Sequence, residues 1–273
     1  DEGPGVAAAL SRIVAALRDH GVRGHIAHFK VIGRRSWPLS RSALDIIENA
    51  REGGMALTAD VFPYTRTGSN LYLLLPDWAR EGGKSRILLR LADARMRGTV
   101  IEELRALTLH YEKITVASTL HDTDVVGKTI AQLAEISGRA PEEVVMDLLE
   151  ANQLNVAIFN EALSEENMAD SLTRDYIAVS SDGVGQSFGV QRADLPHPRS
   201  FGTFPRVFSV FVRERNKIAW KDAIHKMTGL PASIAGIRDR GMLKEGMAAD
   251  IVVFNPETVR DPAAYTKPRE RCE

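Results

Sequence analysis

Two short segments put chemically able side chains at the ends of apolar runs. In HIAHFK, residues 25–30, apolar and polar residues interleave. If the segment is a strand, Ile26, His28 and Lys30 share one face, and Ala27, Phe29 and Val31 the other. The second face is wholly apolar and suits a helix layer. The first starts apolar and turns polar towards its C-terminal end. In YIAVSSDG, residues 176–183, alternation groups Tyr176, Ala178, Ser180 and Asp182, with Asp182 last. A histidine at one strand end and an aspartate at another are donors suited to zinc, which takes imidazole nitrogen and carboxylate oxygen and, in catalytic sites, keeps a position for water. A carboxylate beside that water can take its proton during attack and return it to a leaving amine. Each segment also has a plain structural reading. A core histidine bonds a carbonyl, a lysine stem reaches out to water, and an aspartate turns the chain before a glycine.

The elements that would position these groups follow an α/β order. A helix over residues 4–20 has the apolar stripe Val6, Leu10, Ile13, Val14, Leu17, and Gly21 can stop it. The segment HIAHFK follows, then a loop, then a helix that Ser40 can cap, with Leu44, Ile47 and Ala50 on its core face. MALTADVF reads as the next strand and PYTRTGSN as the loop after it. Alternation of this kind predicts parallel strands joined by crossovers, as in a (β/α)8 barrel, whose chemistry lies at the C-terminal strand ends. Residues 71–152 read as an insertion over the barrel mouth, with a strand in YEKITVAST and two helices before residue 152, Pro141 opening the second. NVAIF reads as a short strand, and Ser164 as the cap of the helix that follows. The Gly- and Pro-rich loop 183–202 is long enough to be functional. Two helices are expected over 204–215 and 220–228, then two strand-like segments joined by a glycine-containing turn. Alternation turns His25 towards the helix layer, away from any metal.

Bulk composition excludes some classes. The chain has 273 residues and a net charge of −1, which gives no reason to expect nucleic acid or an anionic membrane surface as a partner. No apolar run approaches the roughly 18 residues of a membrane-spanning helix. One cysteine, Cys272, excludes an internal disulfide framework. Cytoplasm is the default location.

Several segments resemble one family. LPASIAGIRDRGMLKEGMAADIVVFNP, residues 230–256, resembles the C-terminal signature of the amidohydrolase superfamily. HFK (28–30), ADVFPY (59–64), LPDWAREGG (75–83), SSDG (180–183) and HPRSFGTFPRV (197–207) together resemble the N-acyl-D-amino-acid deacylases, in the family's order and over nearly the whole chain. The resemblance implies a TIM-type barrel with a small β-sandwich, and zinc-dependent hydrolysis of the amide bond of N-acyl-D-amino acids. It implies His28 as a metal ligand, and Asp182 as both metal contact and general base and acid. It implies Lys30 and Arg199 near the substrate carboxylate, and Tyr64 in the segment that holds the developing oxyanion. The pattern is incomplete. Phe62 stands where the family usually has tyrosine, and Arg66 where it tends to have a small residue. The His-x-His pair and the metal-bridging cysteine have no counterpart, since Cys272 comes too late. Residues 1–230 are therefore expected to be the C-terminal part of the barrel, and 231–273 the start of the return to the sandwich. Such a chain is expected to be inactive alone and, with an open barrel edge, to self-associate. The alternatives are another amidohydrolase, such as a cyclic amidase or dipeptidase, and a non-catalytic homologue or binding module.

Overall fold

The computed structural model describes residues 1–107, 109–186 and 193–271, so Cys272 and part of the Gly- and Pro-rich loop lie outside the described residues. In chain order the elements are α1 (Val6–His20), β1 (Gly24–Ile26), α2 (Ser40–Glu52), β2 (Leu57–Val61) and β3 (Arg66–Asn70). Next come α3 (Asp77–Arg80), α4 (Gly83–Ala92), α5 (Ala94–Ala106), β4 (Ile114–Ser118), α6 (Ile130–Ser137) and α7 (Pro141–Ala151). The remainder are β5 (Ala157–Glu161), α8 (Glu165–Thr173), β6 (Ile177–Val179), α9 (Arg199–Arg206), a π-helical stretch (Val207–Glu214), α10 (Trp220–Met227) and α11 (Gly229–Ala235).

A parallel sheet of order β1-β2-β6 carries the candidate site residues at its C-terminal edge. Gly24 pairs with Leu57, and Ala59 with Ile177. Period-two alternation sorts β2 cleanly. Leu57, Ala59 and Val61 are buried in one core with Leu10, Leu44, Ile47, Leu172 and Phe211, so Thr58 and Asp60 point away from the helices. The apolar stripe of α2 meets this core, and each fully buried Leu or Ile there contributes about 1.5–3 kcal/mol. A second, antiparallel sheet has order β3-β5-β4. Its own core includes Leu71, Leu104, Val116, Ile130, Leu149 and Ile158.

The structure revises several expectations. HIAHFK is a strand only as far as Ile26. The chain turns at Ala27 and His28, because His28 adopts a left-handed backbone with φ 44°, so face alternation does not reach His28 or Lys30. Ile26 packs towards the helix-side core. His25 therefore faces the other way, bonded to Thr58 and Asp60, which corrects its expected direction. Ser40 begins α2 without capping it; the N-cap is Leu39. PYTRTGSN is not a loop throughout, because its second half is β3, paired along its length with β5. YIAVSSDG is a strand only over residues 177–179. The expected strands of the tail do not form among the described residues. Val252 and Val253 are 83% and 91% exposed, and an apolar run without a partner strand makes no ladder.

Candidate functional site

The site residues sit just beyond the ends of short strands. Asp182 follows β6 by three residues and, like His28, has a left-handed backbone, φ 45°. Such a conformation costs a non-glycine residue about 1–3 kcal/mol and persists only where neighbours hold it. Asp60 holds His28: its Oδ1 accepts the His28 backbone N–H at 2.8 Å, and its Oδ2 lies 2.7 Å from His25 Nε2. The N-terminal turn of α9 holds the Asp182 loop. Ser200 Oγ accepts the Val184 N–H at 3.2 Å. Gly183 approaches Ser200 so closely that a Cβ would lie 2.9 Å from its Cα, leaving no room for a side chain.

Two polar groups emerge. In the first, Lys30 Nζ lies 2.5 Å from Glu2 Oε1 and 2.7 Å from His28 Nδ1, and Glu2 Oε1 is 3.2 Å from the same ring nitrogen. Either Lys30 donates to a bare Nδ1, or Nδ1–H donates to Glu2; only the second leaves the other ring nitrogen bare for a metal. In the second group, Arg199 Nη1 and Asp182 Oδ2 form a 2.7 Å ion pair. The Arg199 side chain is largely buried, its Nε has no hydrogen-bond partner among the described residues, and burial lowers its pKa while Asp182 opposes the shift. Phe62 links the two groups. Its ring lies 4.7 Å from the Arg199 guanidinium carbon and 6.0 Å from Lys30 Nζ, within cation–π reach.

Asp182 and Arg199 line a cleft of about 350 Å³, with His197, Gly68, Ser118 and Phe159 among its other walls. His197 is neutral and fixed. Its Nε2–H donates to the Arg66 carbonyl at 2.9 Å, and its Nδ1 accepts the Arg199 backbone N–H at 3.0 Å. Burial, and then the Arg199 charge, push its pKa down to about 3.

Tyr64, like His28 and Lys30, does not line the cleft. Its buried hydroxyl donates to Asp261 Oδ2 at 2.7 Å. Burial and then Asp261 push the phenol far above its usual range, and burial raises the Asp261 carboxyl. Thus the structure joins Asp182 to Arg199 and His28 to Lys30, and ties Tyr64 to the C-terminal tail.

Sequence reading missed Glu2, Asp60, His197 and Asp261 as partners. Only Asp60 left a signal, as the polar member of an otherwise apolar strand end.

Residues 77–272 match the model of the amidohydrolase family. The chain belongs to that family. It is 28% identical over 272 residues to the D-aminoacylase of Alcaligenes xylosoxydans xylosoxydans, covering 100% of this chain and 47% of that protein. It is 29% identical over 269 residues to the N-acyl-D-aspartate deacylase of the same organism, covering 98% of this chain and 45% of that one. Among solved structures, it superposes on N-acyl-D-glutamate deacylase from Bordetella bronchiseptica, solved with zinc and a phosphonate inhibitor, at TM-score 0.76. That match has 27% identity and covers 100% of this chain and 48% of the other. The α/β fold is thus that of the D-aminoacylase structures, of the TIM-barrel type. The chain spans about half the length of these relatives.

A metal centre is not complete in these residues. Among the described residues no group of three or more His, Cys, Asp or Glu side chains is placed to hold a metal ion, whereas a catalytic zinc takes three protein ligands. No helix among them is long and apolar enough to cross a membrane.

Proposed function

We propose that the whole protein is a zinc-dependent hydrolase that cleaves the amide bond of N-acyl-D-amino acids, and that this chain supplies its substrate-carboxylate site and its proton-transfer residue. The observation that carries the reading is Arg199: a largely buried guanidinium in a cleft, 2.7 Å from Asp182, with an Nε donor that has no partner among the described residues. A planar guanidinium pairs both oxygens of a carboxylate. Substrate docking there competes with Asp182 for the same cation and frees Oδ2 to take a proton from the attacking water. Asp182 then delivers that proton to the leaving nitrogen. Lys30, whose ammonium lies 6.0 Å from the Phe62 ring, adds a second positive charge beside that ring. Tyr64 can serve an oxyanion only if its hydroxyl leaves Asp261. The zinc of the Bordetella relative is carried over with the function. His28 and Asp182 are the donors this chain offers, and they fall short of a ligand set on their own. In the same reading β1, β2 and β6 are the last strands of an eight-stranded barrel, and the tail after Leu230 leads back to a small β-sandwich.

The test is Asp182→Asn in the whole protein, assayed against N-acyl-D-amino acids. The expected result is a loss of kcat of at least about a hundredfold with folding unchanged. A near wild-type rate would remove Asp182 from the mechanism. Zinc content before and after His28→Ala tests the ligand role separately.

A further inference from the structure

Among its described residues the tail after α11 forms no helix or multi-residue strand, yet part of it is buried behind the cleft. Tyr265 stands behind two cleft walls: its ring centroid is 5.2 Å from that of His197 and 5.3 Å from that of Phe159. The Arg66 guanidinium carbon lies 4.5 Å from the Tyr265 ring centroid. Arg66 is also the residue whose carbonyl accepts from His197. Tyr265 therefore touches both sides of the bond that fixes the imidazole. His197 in turn fixes the start of α9: Nδ1 accepts the Arg199 N–H, and its carbonyl accepts the Ser200 N–H at 3.0 Å. Two further contacts flank Tyr265. Asp261 is seated between Tyr64 and Gly202, where a Cβ on Gly202 would lie 1.8 Å from the carboxylate. Arg269 donates to the Asp194 carbonyl at 3.1 Å and to its carboxylate at 3.2 Å, at the other end of the same loop.

We propose that the tail segment 261–269 is a clasp that positions Arg199, with Tyr265 as the positioning residue acting through His197. Its role as a determinant of substrate affinity rests on the carboxylate-binding reading of Arg199; its role in ordering the loop does not. Edge-to-face aromatic packing favours one ring orientation, and a neutral imidazole held at both nitrogens transmits that orientation to the N-terminal turn of α9. Removing the ring leaves a cavity beside His197 and releases the loop 193–200.

The experiment is hydrogen exchange on the 273-residue chain for wild type, Tyr265→Phe, Tyr265→Ala and Arg269→Ala. With Tyr265→Phe, protection of the Arg199 and Ser200 amides should match wild type, because the ring remains. With Tyr265→Ala these two amides should exchange about tenfold faster while β2 is unchanged. Arg269→Ala, which removes a half-buried side chain but keeps the Tyr265 ring, should speed exchange over residues 193–197. If Tyr265→Ala unfolds the chain, Arg269→Ala decides. Unchanged exchange at 193–200 in the variant that remains folded would overturn the clasp. In the whole protein, Tyr265→Ala should raise KM for an N-acyl amino acid about tenfold and leave kcat within about twofold. Absence of turnover in wild type as well would count against the deacylase reading, with the exchange data still deciding the clasp.

Discussion

At the scale of single residues, the candidate site depends on groups held in one protonation state. His197 is the clearest, because its pKa of about 3 lies well below the ordinary 6.5. Between those values the unfolded chain binds a proton that the folded chain refuses. Stability from this residue is therefore fully present above pH 6.5 and is lost as pH falls towards 3. The slope is at most about 1.4 kcal/mol per pH unit. Urea midpoints at pH 7 and pH 5 should separate more in wild type than in His197→Gln, which has no imidazole to titrate. Parallel profiles for the two proteins would mean that His197 is hydrated in solution. Nothing local in HPRSFG reveals this role. The acceptor for Nε2 is the Arg66 carbonyl, 131 residues away, and the packing ring, Tyr265, comes from beyond the tail segments that read as strand-like. Asp182 entered the sequence reading as the last residue of an alternating strand before a glycine, and Arg199 only through the family resemblance. Their mutual ion pair was not legible, since a sequence does not say whether an arginine meets a substrate or a neighbour.

At the scale of elements, legibility followed amphipathic period and capping chemistry. The stripe of α2 buries Ala43, Leu44, Ile47 and Ala50, Pro141 opens α7, and Ser164 Oγ accepts the Asn167 N–H at the start of α8. The strands were harder. β3 is RTGSN, a sequence of turn formers, and it is a strand because β5 offers it a complete antiparallel register. β6 has only three residues and depends on help from outside the sheet. The buried Lys226 on α10 gives it that help, donating to the Ile177 carbonyl at 3.0 Å and to the Arg174 carbonyl. Burial lowers the Lys226 pKa to about 8. Replacing the ammonium with a thioether of similar length leaves both carbonyls without that donor. Lys226→Met should cost about 1.5–3 kcal/mol in denaturant unfolding. It should also speed exchange at residues 177–179, the strand that presents Asp182. A variant as stable as wild type would show that water satisfies these carbonyls.

At the scale of the molecule, the cleft lies where two cores meet. One wall comes from β3, β4 and β5, whose side chains pack with Leu149 and the helices α3–α7. The other comes from Asp182 and the start of α9, which belong to the segment built on the parallel sheet. Ala117 and Ser118 are the described residues of 71–152 that line the cleft, while Asp182 and Arg199 lie outside that stretch. On the proposed function the second wall sets both substrate affinity, through Arg199, and turnover, through Asp182; the two-core arrangement is independent of that reading. It also predicts how the chain opens. Leu149 is fully buried in the second core, and Leu149→Ala removes its contacts at a cost of about 2–5 kcal/mol. If the cores are separate cooperative units, that loss falls on one of them. Hydrogen exchange should then accelerate across β5 and α7, while Leu57, Ala59 and Ile177 keep their wild-type protection. The cleft would lose one wall and retain the Asp182–Arg199 pair. Equal loss of protection in both sheets would instead mean that the two cores fold as one cooperative unit, so that every substitution behind the cleft acts on Asp182 as well.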